Sequence, residues 1–388
     1  MQLTGLSTEG DNPDIIVPYD KGSNTYTALV APQSVAADKA FITCTFTNGK
    51  VFVYKMKNAA DWQAGGEYTY TVSLAAAKGY IIEDDGSYTV TSADGLMNIA
   101  ELVNGGKSNI NITLDTDIDL TGKGWTPIGT SFDNSYKGTF DGGGHTITGL
   151  TFTTNDEYAG LFGWLNRAGT VKNVVMEGVQ ITSNQIYGGS IGGVVGYSWG
   201  TIENCSVSGS ISGTVYVGGV VGAQIGGSIT GCSSSATVKG TVDVGGVAGQ
   251  TNSSATLTAC YATGNVTIEI DPINNILGGG LVGFNAGSSV LACYATGNVT
   301  STGSSTGNVY IGGFLGGNYT TVTACYWKNN HEQGIGYNKE GIAPEATNVD
   351  GTNVTWENAV DAMNTALQKA GSEWRYELKG ALPTLRKQ

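Results

Sequence analysis

Gly193-Val-Val-Gly196 is the stretch that decides the fold, because it recurs. The same glycine, apolar, apolar, glycine string stands at Gly160-Leu-Phe-Gly163, Gly219-Val-Val-Gly222, Gly246-Val-Ala-Gly249, Gly280-Leu-Val-Gly283 and Gly313-Phe-Leu-Gly316, with first glycines 33, 26, 27, 34 and 33 residues apart. After each string and a turn comes a second short β-prone segment with a marked position: Val174, Cys205, Cys232, Cys260, Cys293 and Cys325. A unit this short cannot bury its own apolar face, but stacked copies can. The spacing therefore predicts a parallel β-helix, expected to be right-handed, in which equal positions form ladders at the ordinary inter-strand distance. Glycine pairs allow tight turns. The segments Asp271–Asn275 and Ser301–Gly307 read as loops bulging from the wall.

Composition agrees with a folded, repetitive chain. Sixty glycines in 388 residues are not spaced as in collagen, and 40% hydrophobic content excludes a disordered polymer. A net charge of −13 gives the wrong sign for nucleic acid or anionic lipid. No run of apolar residues is long enough to span a bilayer, and the N-terminus lacks the pattern of an export signal, which we expect to lie outside this sequence.

The six strings resemble the GLUG motif, a repeat of bacterial surface and adhesin-like proteins, over roughly Tyr158–Trp327. The lead-in through Trp125-Thr-Pro-Ile-Gly129 and Tyr136–Leu150 is similar to that of such proteins. Upstream, alternating segments at Tyr26–Val30, Phe41–Phe46, Val51–Lys55 and Tyr68–Leu74, split by turn residues, predict a small antiparallel β-sandwich-like domain. Its order resembles the closing half of fimbrillin-like domains from Bacteroidetes fimbriae. The expected organisation is all-β: a fimbrillin-like domain over 1–78, truncated at its N-terminal side; a β-helix over 79–341; and a C-terminal cap over 342–388. Leu96, Ile99, Ala100 and Val103 predict a helix near 94–104 as the N-terminal cap. Trp356, Val360, Met363 and Leu367 predict a second helix, which with Trp374, Leu378, Leu382 and Leu385 should cover the far edge.

Candidate chemistry is sparse. Between Tyr158 and Trp327 the charged residues are Arg167, Lys172, Glu177, Glu203, Lys239, Asp243, Glu269 and Asp271, without recurrence at equivalent repeat positions. The two histidines, His145 and His331, have no obvious nucleophile beside them. No catalytic residue is assigned, and the chain is expected not to be an enzyme. The ladder cysteines are expected to be buried free thiols. Asp115, Asp117 and Asp119 alternate and could share a strand face as a calcium site, although a solvated edge that discourages aggregation is the favoured reading. Tyr187, Tyr197, Trp199, Tyr216, Tyr261, Tyr294, Tyr326 and Trp327 stand at or near turns and are the candidate ligand-binding residues. Those at 261, 294 and 326 each follow a ladder cysteine and should form an outward ladder, with structural stacking the favoured role. The resemblance implies an extracellular, cell-surface or fimbria-associated adhesin whose partner is a host or microbial surface glycan or protein, with fimbrial subunits at its other end. A β-helix polysaccharide-active enzyme and a passive stalk are the alternatives.

Overall fold

The structure, a computed structural model, describes residues 2–3, 19–20, 25–26, 32–37, 39–45, 51–70, 78–185, 188–270, 275–343 and 346–388. The chain divides into Met1–Ile82 and Glu83–Gln388. In the first unit, Ala40–Thr45 pairs antiparallel with Val51–Lys55 and with Gln2–Leu3, and Gln33–Val35 pairs with Ala60–Trp62. The Trp62 indole donates to the Tyr70 hydroxyl at 2.8 Å. Residues 68–70 are not strand, and 71–74 lie outside the described residues.

The second unit is a parallel β-solenoid with three walls. In each full coil the chain runs along wall one, for example Ser190–Gly192. It then bends through the glycine string into wall two, Val195–Ser198 and Thr201–Glu203, and turns a corner into wall three, Ser206–Ser212. Wall-two register links Trp164, Tyr197, Ala223, Gln250, Phe284, Gly317 and Tyr337, so seven coils carry the repeat. The seventh, Ile335–Asn338, escapes the sequence pattern because its string is shortened to Gly334-Ile-Gly336. Inward residues form the expected ladders. Ile112, Phe140, Val171, Ile202, Ile229, Leu257, Val290 and Val322 are in register and essentially fully buried.

Helix α1 (Ala93–Asn104) has Ser92 as N-cap, its hydroxyl accepting from the Gly95 amide. Its buried stripe of Leu96, Ile99 and Val103 covers the start of the core, and Asn104 ties it down by bridging the Pro127 carbonyl and the Gly129 amide.

The corner between walls two and three needs a left-handed backbone in every coil. Asn173, Asn204, Ala259, Ala292 and Ala324 all have φ of 50–55°, and Gly231 has φ 65°. Asparagine and glycine adopt this readily, whereas alanine costs about 1 kcal/mol or more. The change of residue type has a physical reason. Asn204 and Asn173 face outward in a hydrogen-bonded chain ending on Asp141. The later corners are covered by helix α2 (Trp356–Lys369) and the hairpin Trp374–Leu378/Pro383–Lys387, where a polar side chain would be buried.

This corrects the expected position of the C-terminal element. Instead of closing the far edge, it doubles back along the flank. Lys387 pairs with Glu203, the Trp374 indole occupies the space a Cβ on Gly231 would need, and the Tyr376 hydroxyl donates to the Ala292 carbonyl at 2.9 Å. The attraction is the apolar corner itself, where Ala259, Ala292, Tyr294 and Tyr326 pack against Trp356, Met363 and Tyr376.

Candidate ligand-binding groove

The repeat glycines do more than turn the chain. A Cβ on Gly196 would lie 2.6 Å from the Ser190 carbonyl oxygen and 2.7 Å from the Ala159 nitrogen. One on Gly222 would fall on the Ile191 nitrogen, and one on Gly336 would lie 2.5 Å from the Ile311 nitrogen. The second glycine of each string therefore sets wall two directly against the backbone of wall one. Only a residue without a side chain permits that approach. Just outside the contact the outward side chains of the two walls meet along a partly exposed, shallow groove that runs from coil to coil, as Tyr158 does with Trp164 and Tyr310 with Tyr337.

The facing pairs follow from register. Wall one presents Tyr158, Ser190, Tyr216, Asp243, Leu277 and Tyr310 in successive coils. Wall two presents Trp164, Tyr197, Ala223, Gln250, Phe284 and Gly317. Large residues stand opposite small ones in three coils, Ser190 with Tyr197, Tyr216 with Ala223 and Tyr310 with Gly317.

Its two ends are aromatic. At the first, Tyr158 meets Trp164 edge-on at 4.7 Å, Trp164 meets Tyr197 at 4.3 Å, and Phe132, 67% exposed, stands over Trp164 at 5.8 Å. At the other, Phe284 contacts Tyr319, itself 43% exposed, at 5.1 Å, and Tyr310 contacts Tyr337 at 4.9 Å. The Lys339 ammonium lies over the Tyr319 ring.

Between the platforms sits a polar centre. Asp243 is only 3% exposed, and among the described residues no hydrogen bond or ion pair reaches its carboxyl. Burial alone pushes its pKa up to about 8. Burial and the neighbouring Asp243 charge also push the Tyr216 phenol up. Ser190 Oγ, one coil below Tyr216, is buried without a partner among the described residues.

The groove gathers Tyr197 and Tyr216 from the residues singled out in the sequence, has Trp199 at its border, and leaves the others elsewhere. Tyr187 lies outside the described residues. Trp199 stands under the Arg167 guanidinium, 5.6 Å from its ring centre, and its indole donates to the Tyr197 hydroxyl. The expected outward ladder is corrected. Tyr261 stacks flat on Tyr294 at 4.9 Å, but Tyr294 is 0% exposed and donates to the Pro383 carbonyl, and Tyr326 is buried under the same C-terminal cover. Trp327 packs inward against Gly313 and Gly334.

The aspartate cluster is corrected too. Asp115 and Asp117 fall in the corner between the strands Ile112–Leu114 and Ile118–Asp119, so the three do not share a strand face. Asp117 accepts from the Thr146 amide, and Asp119 from the Thr121 hydroxyl and amide, which lowers both pKa values. Among the described residues no three groups able to hold a metal converge.

The five ladder cysteines are free and buried, and each thiol donates to the carbonyl two residues back, as Cys260 does to Thr258 at 3.3 Å. Sequence reasoning missed Phe132, Trp164, Phe284, Tyr319 and Asp243 as parts of one site. It also missed a buried polar ladder two residues after the second glycine, where Thr251, Asn285, Asn318 and Asn338 are linked side chain to side chain.

Comparison with known proteins supports the two-part reading. Residues 2–83 match the fimbrillin-like family model, and residues 187–212 and 213–239 match the GLUG motif. The chain is 30% identical over 206 residues to Halomucin of Haloquadratum walsbyi, covering 46% of this chain and 2% of that protein. It is 34% identical over 129 residues to a "Putative Gly-rich membrane protein" of Evansella cellulosilytica, covering 31% and 14% respectively. It thus spans a small fraction of the length of these relatives. A solved structure described as a "putative immunoglobulin A1 protease" from Bacteroides ovatus superposes with a TM-score of 0.59 at 19% identity, over 78% of this chain and 93% of that one, and so shares the fold. A fimbrillin-like segment joined to GLUG repeats on a β-helix is the makeup of a cell-surface protein. No helix among the described residues is long and apolar enough to cross a membrane.

Proposed function

We propose that this chain is a non-enzymatic, fimbria-associated adhesin that holds a surface glycan along the groove between walls one and two. One observation carries the reading: two aromatic platforms, partly open to solvent, bracket a carboxyl and an amide in a groove with one step per coil. Aromatic faces suit the apolar faces of sugar rings, and the polar centre suits their hydroxyls. Seven coils span roughly 29 Å at about 4.8 Å each, enough for an extended oligosaccharide. The fimbrillin-like segment is the natural point of attachment to other subunits.

Binding without cleavage fits the placement of acids. Glu157, which accepts from the Tyr158 hydroxyl, and Asp243 lie three coils apart, roughly 14 Å. Glycoside hydrolysis by paired carboxylates needs them about 5–9.5 Å apart. A glycan array with the full chain, repeated with Trp164→Ala and Tyr319→Ala, tests the reading. Binding that both variants weaken supports it. Binding indifferent to both, or release of shortened sugars, would sink it.

A further inference from the structure

The groove reading leaves the chemistry of its centre open, and the inference that follows rests on that reading. We propose that the Asp243 subsite selects a glycan carrying a free amino group, so that a sugar ammonium pairs with the Asp243 carboxylate beside the Tyr216 ring.

Three observations point the same way. The Asp243 carboxyl is 3% exposed and lacks any protein donor among the described residues, although buried carboxylates are normally paired. Desolvation disfavours its charged form. A ligand hydroxyl could bond to it but brings no opposite charge, whereas an ammonium restores the pairing that burial demands. Second, the strands of both groove walls, from Tyr158–Ala159 and Phe162–Leu165 to Val309–Gly312 and Ile335–Asn338, contain no lysine or arginine among their outward residues in register with Asp243 or Gln250. The Lys339 ammonium is committed to Tyr319 at the far platform. Third, Tyr216 occupies the same register position one coil below Asp243, and an aromatic face beside a carboxylate is the arrangement that favours an ammonium over a neutral group.

A peptide lysine offers the same ammonium. The groove favours the sugar because aromatic platforms flank the Asp243 subsite on both sides, and a chain of rings can rest on them while its amino group meets the carboxyl, which a lone flexible side chain cannot do.

The test uses one sugar backbone in two states. Calorimetric titrations of the full chain with a β-1,4-linked glucosamine hexamer and with its fully N-acetylated counterpart are compared, for the wild type and for Asp243→Asn. The expected result is at least roughly tenfold tighter binding of the amino form by the wild type, as for a charge-assisted contact, and equal binding of the two forms by Asp243→Asn. Asparagine removes an ionisation that burial penalises, so the variant is expected to fold, and circular dichroism and its melting curve check this directly. Equal binding of the two forms by the wild type, or a preference that survives in Asp243→Asn, overturns the inference while leaving glycan binding intact. Failure of the wild type to bind either hexamer overturns it as well, and the array result then decides separately whether the glycan reading survives. Pentalysine is the third ligand: binding as tight as the amino hexamer would overturn the assignment to a sugar.

Discussion

Replacing Asp243 by asparagine should alter the pH dependence of stability in a defined window. The unfolded carboxyl titrates near 3.8 and the folded one near 8. The folded state therefore binds the extra proton between those values, and stability falls as pH rises through the window. Below about pH 4 both states are protonated and the site costs nothing through ionisation. Above about pH 8 both are ionised and the full penalty is present. At about 1.36 kcal/mol per unit, the full penalty is roughly 6 kcal/mol, of which about 4 kcal/mol is present at pH 7. Tyr216, the neighbouring titratable group, has its pKa raised further by burial and stays neutral throughout. Asparagine removes the ionisation but buries an amide with few partners, at a cost of about 2 kcal/mol. The net gain at pH 7 is about 2 kcal/mol. Urea unfolding of the wild type and Asp243→Asn at pH 4, 6 and 8 measures it. The difference should grow in favour of asparagine by about 1.4 kcal/mol per pH unit within the window and change sign at about pH 5, where the ionisation penalty equals the cost of the buried amide. Parallel pH profiles would refute the burial of a bare carboxyl in the groove.

Gly222→Ala should cost about 3 kcal/mol in urea unfolding, because the backbone of Ile191 occupies the space its methyl needs, while Gly380→Ala, with open space around it, should change nothing measurable. Asn285→Ala should cost about 2 kcal/mol, since Asn285 joins Thr251, Ser288 and Asn318 in the buried ladder; an unchanged midpoint would mean the ladder contributes nothing. Trp374→Ala should cost about 3–5 kcal/mol and make Tyr294 accessible to iodination in the folded protein, whereas a Tyr294 already reactive in the wild type would contradict the flank docking. Cys205, Cys232, Cys260, Cys293 and Cys325 should resist alkylation until the solenoid unfolds; rapid labelling of the native chain would show the ladder to be open.

The scaffold was legible because its cause is local. Gly193, Val194, Val195 and Gly196 announce a bend within four residues, and their recurrence announces stacking. The ladder cysteines were legible for the same reason. The groove was not, because Tyr158 and Trp164, or Asp243 and Gln250, become neighbours only when glycine lets two walls close on each other. Tyr197 and Tyr216 stood out as aromatics near turns, but nothing in their spacing set them apart from Tyr294, which has the same type of neighbours and a buried fate. That fate depends on a contact from Trp356, Tyr376 and Pro383, some 60 to 90 residues away along the chain. One trace of it is readable in retrospect. The corner residue changes from asparagine at 173 and 204 to glycine at 231 and alanine at 259, 292 and 324, where the C-terminal segment lies. The seventh coil was missed because losing one apolar residue from its string breaks the pattern without breaking the bend.

The central claim is that the face of this solenoid which meets a ligand is the groove and no other aromatic surface. Hydroxyl-radical footprinting of the full chain, with and without the oligosaccharide captured on the array, measures that residue by residue. Protection of Trp164, Tyr197, Tyr216, Phe284 and Tyr319, with Tyr261 unchanged, is the result expected. Protection centred on Tyr261, with the groove residues unchanged, would contradict it.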